Sequence, residues 1–324
     1  MDMPDSRLGS KVGRPTRRRR ARRALPWAIA LAVVTIVVSV LVLSGRGSAG
    51  TAAKPPSKGE ILALWERGDW PAVTAACDRI IARSPLDPFA LGIKGMASFN
   101  LAMEKPEGEE RDALVDASIV AIRTTLATRE AERSGRVPLA ELEYILAKSY
   151  YHKGGALMDL SVTYMRDALR DGFQAPDAHE YLAMGLSALG EPAASIVEFE
   201  KALALDHSDL LKIAAAREYL KAGRLETARD LLRTAASSPT DIVAREKARL
   251  MLAEADSGAG RLDEAEAQLT ALLSENPDSA DGHYRLGLIY QSRGDPVHAR
   301  AEWRKAVALD PMHAAARQKL AERL

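Results

Sequence analysis

Six histidines (His152, His179, His207, His283, His298 and His313) and one cysteine, Cys77, are the side chains of this 324-residue chain best suited to hold a metal or to act as base and nucleophile. Their spacing supports neither role. The sequence contains no H-E-x-x-H pair, no Cys/His cluster of metal-ligand spacing, no P-loop and no G-x-S-x-G. Two carboxylates share acid and base work only when they converge, and Glu198 and Glu200, two residues apart, diverge on a helix. Gly45 to Gly50 spells G-x-G-x-x-G, but phosphate binding needs a strand before that motif and a helix after it. Here an apolar run precedes it and Pro55-Pro56 follow, so the segment reads as a linker. A single cysteine closes no intramolecular disulfide, and Cys77 reads as a structural thiol rather than a reactive one. No catalytic residue, cofactor or metal is expected, and the chain reads as a non-enzyme.

Charge gives a second chemistry. Residues 1–24 hold nine Lys/Arg against two Asp, a net +7, so a chain of net charge +1 carries about −6 in the remainder. The arginine run Arg17–Arg20 with Arg22 and Arg23 has a nucleic-acid reading, but nineteen uncharged residues, Leu25–Leu43, follow at once. At 1.5 Å per residue a helix of that length spans roughly 28 Å, the thickness of a bilayer's hydrocarbon core. Residues 25–43 therefore read as a transmembrane signal anchor. The preceding arginines, Arg17–Arg23, would contact anionic lipid and hold residues 1–24 in the cytoplasm as a basic tail. The run exceeds a cleavable signal core, although Ser48, Ala49, Gly50, Ala52 and Ala53 offer a cleavage site and Arg22-Arg23 a twin-arginine alternative. The absence of a cysteine just after the run argues against a lipidated anchor. Residues 44–58 read as a flexible tether of about 20 Å reach.

The remainder is built for helices. The whole chain is 47% hydrophobic but only 5% aromatic, so its core must be largely Ala and Leu, which suits stacked helices better than sheets. The clearest stretch runs from Ala280 to Pro311. Counted from Ala280, it places Leu286, Gly287, Tyr290, Gly294, Ala299, Trp303, Ala306 and Pro311 at positions 7, 8, 11, 15, 20, 24, 27 and 32. Leu286 and Tyr290 share one helix face, small Gly287 and Ala299 let two backbones approach, and Gly294 ends the first helix. These offsets resemble the tetratricopeptide repeat, a helix–turn–helix unit of about 34 residues that needs neighbours to bury its faces.

Six earlier units follow the pattern with varying fidelity. The first carries Leu64, Gly68, Val73, Cys77, Ile80 and Pro85; the second has Leu91 and Gly95, then a charged insertion at 104–110. The third has Leu146, Ala147, Tyr150 and Gly154, with about two extra residues near Gly155. Regular units follow at Leu182–Ala202, Ala215–Ala235 and Leu252–Pro277, and Ala314–Leu324 reads as a capping helix. The fold class expected is all-α: a transmembrane helix, then a right-handed α-solenoid of about seven helix pairs over 59–313, then the cap over 314–324.

The resemblance implies that first helices line a concave groove, with positions 2, 5, 9, 12 and 13 facing it. Transferred to this sequence, those positions are Phe89, Met96, Phe99 and Asn100 in the second unit and Tyr144, Lys148, Tyr151 and His152 in the third. Glu180 and Met184 follow in the fourth, Arg217 and Lys221 in the fifth, and Tyr284 and Gln291 in the seventh. Tyr and Phe make rigid contact anchors and Met adapts to varied apolar surfaces, although aromatic residues at helical spacing are commonly core. The Lys/Asn two-carboxylate clamp of chaperone-tail receptors is missing, with Asn100 a lone partial match. The function expected is a membrane-anchored scaffold that binds a protein or peptide partner on the extracytoplasmic face, periplasmic in a bacterium, with no nucleic acid. Its rivals are a self-associating homo-oligomeric solenoid and an accessory subunit of an envelope enzyme or secretion complex. The least regular part of the array, residues 89–152, is where function is expected.

Overall fold

The computed structural model describes residues 54–128 and 138–322. The basic tail, the apolar run 25–43, the Gly45–Gly50 motif and the linker up to residue 53 lie outside the described residues. Among the described residues no helix is long and apolar enough to cross a membrane.

Fifteen α-helices and one short 3₁₀ turn make up Ser57–Leu324, a single compact unit, among the described residues. They fall into seven pairs and a final helix. The pairs are α1 (Lys58–Glu66) with α2 (Trp70–Ile81), α3 (Pro88–Met103) with α4 (Glu109–Leu126), and α5 (Leu139–Lys153) with α6 (Met158–Arg170). Next come α7 (Ala178–Ala188) with α8 (Pro192–Leu205), and α9 (Asp209–Lys221) with α10 (Leu225–Ala236). The last are α11 (Ile242–Gly258) with α12 (Leu262–Glu275) and α13 (Ala280–Ser292) with α14 (Pro296–Leu309), followed by α15 (Ala314–Ala321).

Local chemistry sets these boundaries. Asp69, Asp87 and Asp295 each cap a helix that has Pro at its first or second position, accepting from Ala72, Ala90 and His298 backbone N–H groups. Ser57 and Glu60 form a reciprocal capping box, so the regular structure begins at Lys58, inside the segment read as tether. Between paired helices the chain turns on a left-handed glycine, for example Gly294 at φ 75°, a conformation that costs glycine nothing and other residues about 1 kcal/mol.

Each helix packs on the next, and a second pattern decides which face is inner. First helices also touch across units: α3 with α5, α5 with α7, α7 with α9, α9 with α11 and α11 with α13. No comparable row joins the second helices among the described residues. The layer whose members touch is the inner side of the curve, so the odd-numbered helices line it. Position 8 governs how closely the two helices of a pair approach. A Cβ on Gly287 would collide with the Trp303 indole, and one on Gly95 would meet Ile122 Cγ1 at 2.5 Å. Trp303, fully buried, donates its indole N–H to the Tyr284 carbonyl at 3.2 Å.

Candidate functional site

The inner layer at α3, α5 and α7 is where the expected groove residues converge. Phe89, one position inside α3, has the Lys58 ammonium 4.7 Å from its ring centroid and is half-buried. Met96 and Phe99 are buried, with Phe99 only 2% exposed, so they form the floor beneath the surface rather than the surface itself. Their depth follows from α5 closing over α3. Asn100 remains half-exposed beside them.

Lys148 is the centre of the arrangement. Its ammonium lies 4.5 Å from the Tyr181 ring centroid, 5.0 Å from Tyr144 and 5.6 Å from Phe99. It donates to Asp177 Oδ2 at 2.7 Å and to the Tyr144 hydroxyl at 3.0 Å, while Tyr144 donates to Asp177 Oδ1 at 2.5 Å. A cation among three aromatic rings with a carboxylate behind it is a closed electrostatic unit. Burial, followed by the bond to Asp177, pushes the Tyr144 hydroxyl's pKa far up, so it stays a donor at all ordinary pH. Tyr181 is pushed up to about 12, chiefly by burial.

The second half of the cluster is softer. Tyr151 stacks edge-on against Tyr181 at 5.1 Å between centroids, and its hydroxyl meets Met184 Sδ at 3.4 Å. His152 contacts Arg111 Nη2 at 3.0 Å and the Tyr181 hydroxyl at 3.4 Å, and lies 5.9 Å from the Phe99 ring. Burial lowers its pKa, and the charges of Arg111 and Lys148 lower it further, so His152 is neutral at pH 7. Glu180 is half-buried with no hydrogen-bond or ion-pair partner among the described residues. Burial first, then Asp177 and Asp206, raise its carboxyl pKa.

The other expected positions do not join this group. Arg217 is exposed on α9. Lys221 bonds Ser187 Oγ at 3.1 Å and Glu218 at 2.7 Å, bridging α7 and α9. Tyr284 packs against His313, the cap of α15, at 4.9 Å between centroids, and Gln291 is half-exposed. Three residues outside the expected set complete the cluster: Asp177, Tyr181 and Arg111. Asp177 occupies position 2 of its unit, itself one of the positions that the resemblance assigns to the groove, and Tyr181 occupies position 6, next to one. Arg111 comes from the second helix α4 and carried no sequence signal.

Elsewhere the chemistry is structural. Glu198 pairs with His179 at 2.6 Å and Glu200 accepts from the Tyr219 hydroxyl at 2.8 Å, so the two carboxylates serve different partners. Among the described residues no group of three or more His, Cys, Asp or Glu is placed to hold a metal ion. Cys77 is fully buried, and burial, followed by the Asp78 charge, pushes its thiol up to about 12.

Two family models, each described as tetratricopeptide repeat, match residues 219–289 and 280–313. Residues 219–313 carry tetratricopeptide repeats. These models cover the regular end of the repeat array, and the aromatic cluster lies upstream of both. No curated protein sequence matches the chain. Among solved structures, the repeat unit is similar to PilW, described as a widely conserved type IV pilus biogenesis factor. Identity there is 20%, covering 70% of this chain and 98% of that one, with a TM-score of 0.53. MamA from Desulfovibrio magneticus RS-1 is similar at 19% identity over 54% of this chain and 97% of its own, with a TM-score of 0.47. At such identities the likeness is one of fold: an α-solenoid of tetratricopeptide-like helix pairs.

Proposed function

We propose that this protein is a membrane-anchored tetratricopeptide scaffold that binds an extended or helical segment of a protein partner on the inner layer of its first helices. In this reading residues 25–43 cross the bilayer, Arg17–Arg23 rest against anionic lipid, and a right-handed solenoid stands on the extracytoplasmic face. The observation that carries the binding role is the concentration of half-buried Tyr151, Tyr181 and Met184 on α5 and α7, over buried Tyr144. Rigid aromatic rings with polar tips supply contact area at low entropic cost.

Two measurements test the two halves of the proposal. A photo-reactive side chain introduced at Tyr151 or Arg217 of the full-length protein is expected to cross-link a protein partner in cells. The same group at exposed Val120, on the outer helix α4, is expected to give none. Equal labelling from both layers would remove the inner-layer assignment. A topology reporter fused after Leu324 is expected to be active only outside the cytoplasm; cytoplasmic activity would remove the anchor orientation.

A second reading has its own observation. Leu205, Leu210, Ile242 and Val243 are each more than half exposed around the junctions leading into α9 and α11. Such an apolar edge suits self-association of the solenoid, and sedimentation at micromolar concentration separates a monomer from that alternative.

A further inference from the structure

The charges of the inner layer are unevenly matched. On α3, α5 and α7 the described lysines are all paired with aspartates: Lys94 with Asp78 at 2.6 Å, Lys148 with Asp177 at 2.7 Å and Lys153 with Asp116 at 3.0 Å. The glutamates of the same helices have no such partner. On Glu143 the charges of Asp171 and Asp167 act unfavourably and that of Arg170 favourably, all three at the C-terminal end of α6. Glu141, on α5, and Glu180, on α7, are half-buried, without an ion pair or hydrogen bond among the described residues. Each is held above the usual carboxylate range by its own burial.

Glu180 is the better placed of the two. Glu180 and Met184 are one helical turn apart on α7, and Met184 Sδ meets the Tyr151 hydroxyl at 3.4 Å, so carboxylate and ring belong to one patch, in which the Glu180 charge also acts on the hydroxyls of Tyr151 and Tyr181. A half-buried carboxylate without an ion pair costs free energy that an arriving cation would return, and ring faces attract the same cation. The Lys148 charge reaches Glu180 and acts to lower its pKa, but it offsets burial only in part, because Asp177 and Tyr144 already hold that ammonium.

We infer that the partner segment is basic and apolar, with a Lys or Arg side chain seated on Glu180 and a neighbouring apolar side chain lying on Tyr151 and Met184. The inference rests on the scaffold reading above and adds the chemistry of the ligand to it. Glu141 offers a second position for a cation one element away, so the preferred segment runs across α5 and α7 with two separated basic residues.

The test pans random peptides displayed on phage, in pools biased toward Lys/Arg, toward Asp/Glu or toward neither, against the full-length protein in detergent. Enrichment of the basic pool is expected, with a basic residue beside an aliphatic or aromatic one in the selected clones. Glu180→Gln, close to isosteric, is expected to weaken a selected peptide about tenfold or more while leaving thermal unfolding nearly unchanged. Glu141→Gln is expected to act in the same direction and more weakly. Binding to the unmodified protein should weaken as pH falls through the raised pKa of Glu180, and that dependence should shrink in Glu180→Gln, with Glu141 carrying what remains. Selection of acidic or neutral peptides, or unchanged affinity in Glu180→Gln, overturns the basic-partner assignment and leaves the scaffold reading standing. Failure of every pool to bind overturns both.

Discussion

Arg229 Nε of α10 lies 2.5 Å from Asp256 Oδ1 of α11, and both side chains are almost wholly buried, at 5% and 2% exposure. The guanidinium and the carboxylate form a close, buried ion pair. Arg229 also reaches Glu226 at 2.9 Å, which in turn takes Arg261 at 2.6 Å, so a chain of charges ties α10 to the following unit.

Removing one member of that pair leaves the other charge buried. Asp256→Ala is expected to destabilise the solenoid by about 3 kcal/mol, at the lower end for broken buried pairs because exposed Glu226 still faces Arg229. Urea unfolding monitored by circular dichroism measures it. Replacing both residues by apolar side chains of similar size is expected to recover most of the loss; a double variant as unstable as Asp256→Ala would mean the damage is steric.

Gly287 and Trp303 form a second dependency. An added methyl at 287 would collide with the indole and stand 3.0 Å from the Ala299 carbonyl, so Gly287→Ala is expected to cost roughly 1–3 kcal/mol. Trp303→Leu alone is expected to cost several kcal/mol through the cavity it opens. In combination the two are expected to be less than additive, because the smaller side chain relieves the collision. Additive losses would show that Gly287 serves some purpose other than admitting Trp303.

Cys77 provides a probe of the first unit. A thiol raised to about 12 by burial is almost wholly protonated at pH 8 and has no access to solvent. Alkylation by a maleimide is expected to be slow in the native protein and fast in urea, with the native rate following local opening of α1 and α2. Because the folded pKa lies above the ordinary value, the thiol's contribution to stability is present below that value and is lost as pH rises through about 12. Rapid labelling under native conditions would contradict the packing of α2.

Much of this fold was legible beforehand, and the reasons differ by region. The offsets from Leu286 to Pro311 correspond to a real helix pair because each is fixed by backbone contact: Gly287 by Trp303, Gly294 by its positive φ and Asp295-Pro296 by a cap. Groove positions were legible only as a list. Periodicity says which residues share a face but not how deeply the next helix covers it, so Met96 and Phe99 were nominated although they are buried. It is equally blind to contacts between units. Asp177 and Arg111 entered the cluster through bonds to Tyr144, Lys148 and His152 that join different units or different layers.

His152 joins three elements, so its protonation is the most direct handle on the cluster. Burial and the charges of Arg111 and Lys148 lower its pKa, with Glu107 acting weakly in the opposite direction. A histidine whose folded pKa lies below its unfolded value near 6.5 binds fewer protons when folded. Its contribution is therefore complete above about pH 6.5 and is lost as pH falls through the lowered folded value. The raised carboxyl of Glu180 acts with the opposite sign, favouring the folded state below the ordinary carboxylate pKa and losing that contribution as pH rises through its own value. Thermal unfolding between pH 7 and pH 5 should consequently show a fall in midpoint that shrinks in His152→Asn and persists in Glu180→Gln. Should His152→Asn keep the full fall, the acid sensitivity belongs to another group, and the bond from Arg111 to His152 is a packing contact without electrostatic weight.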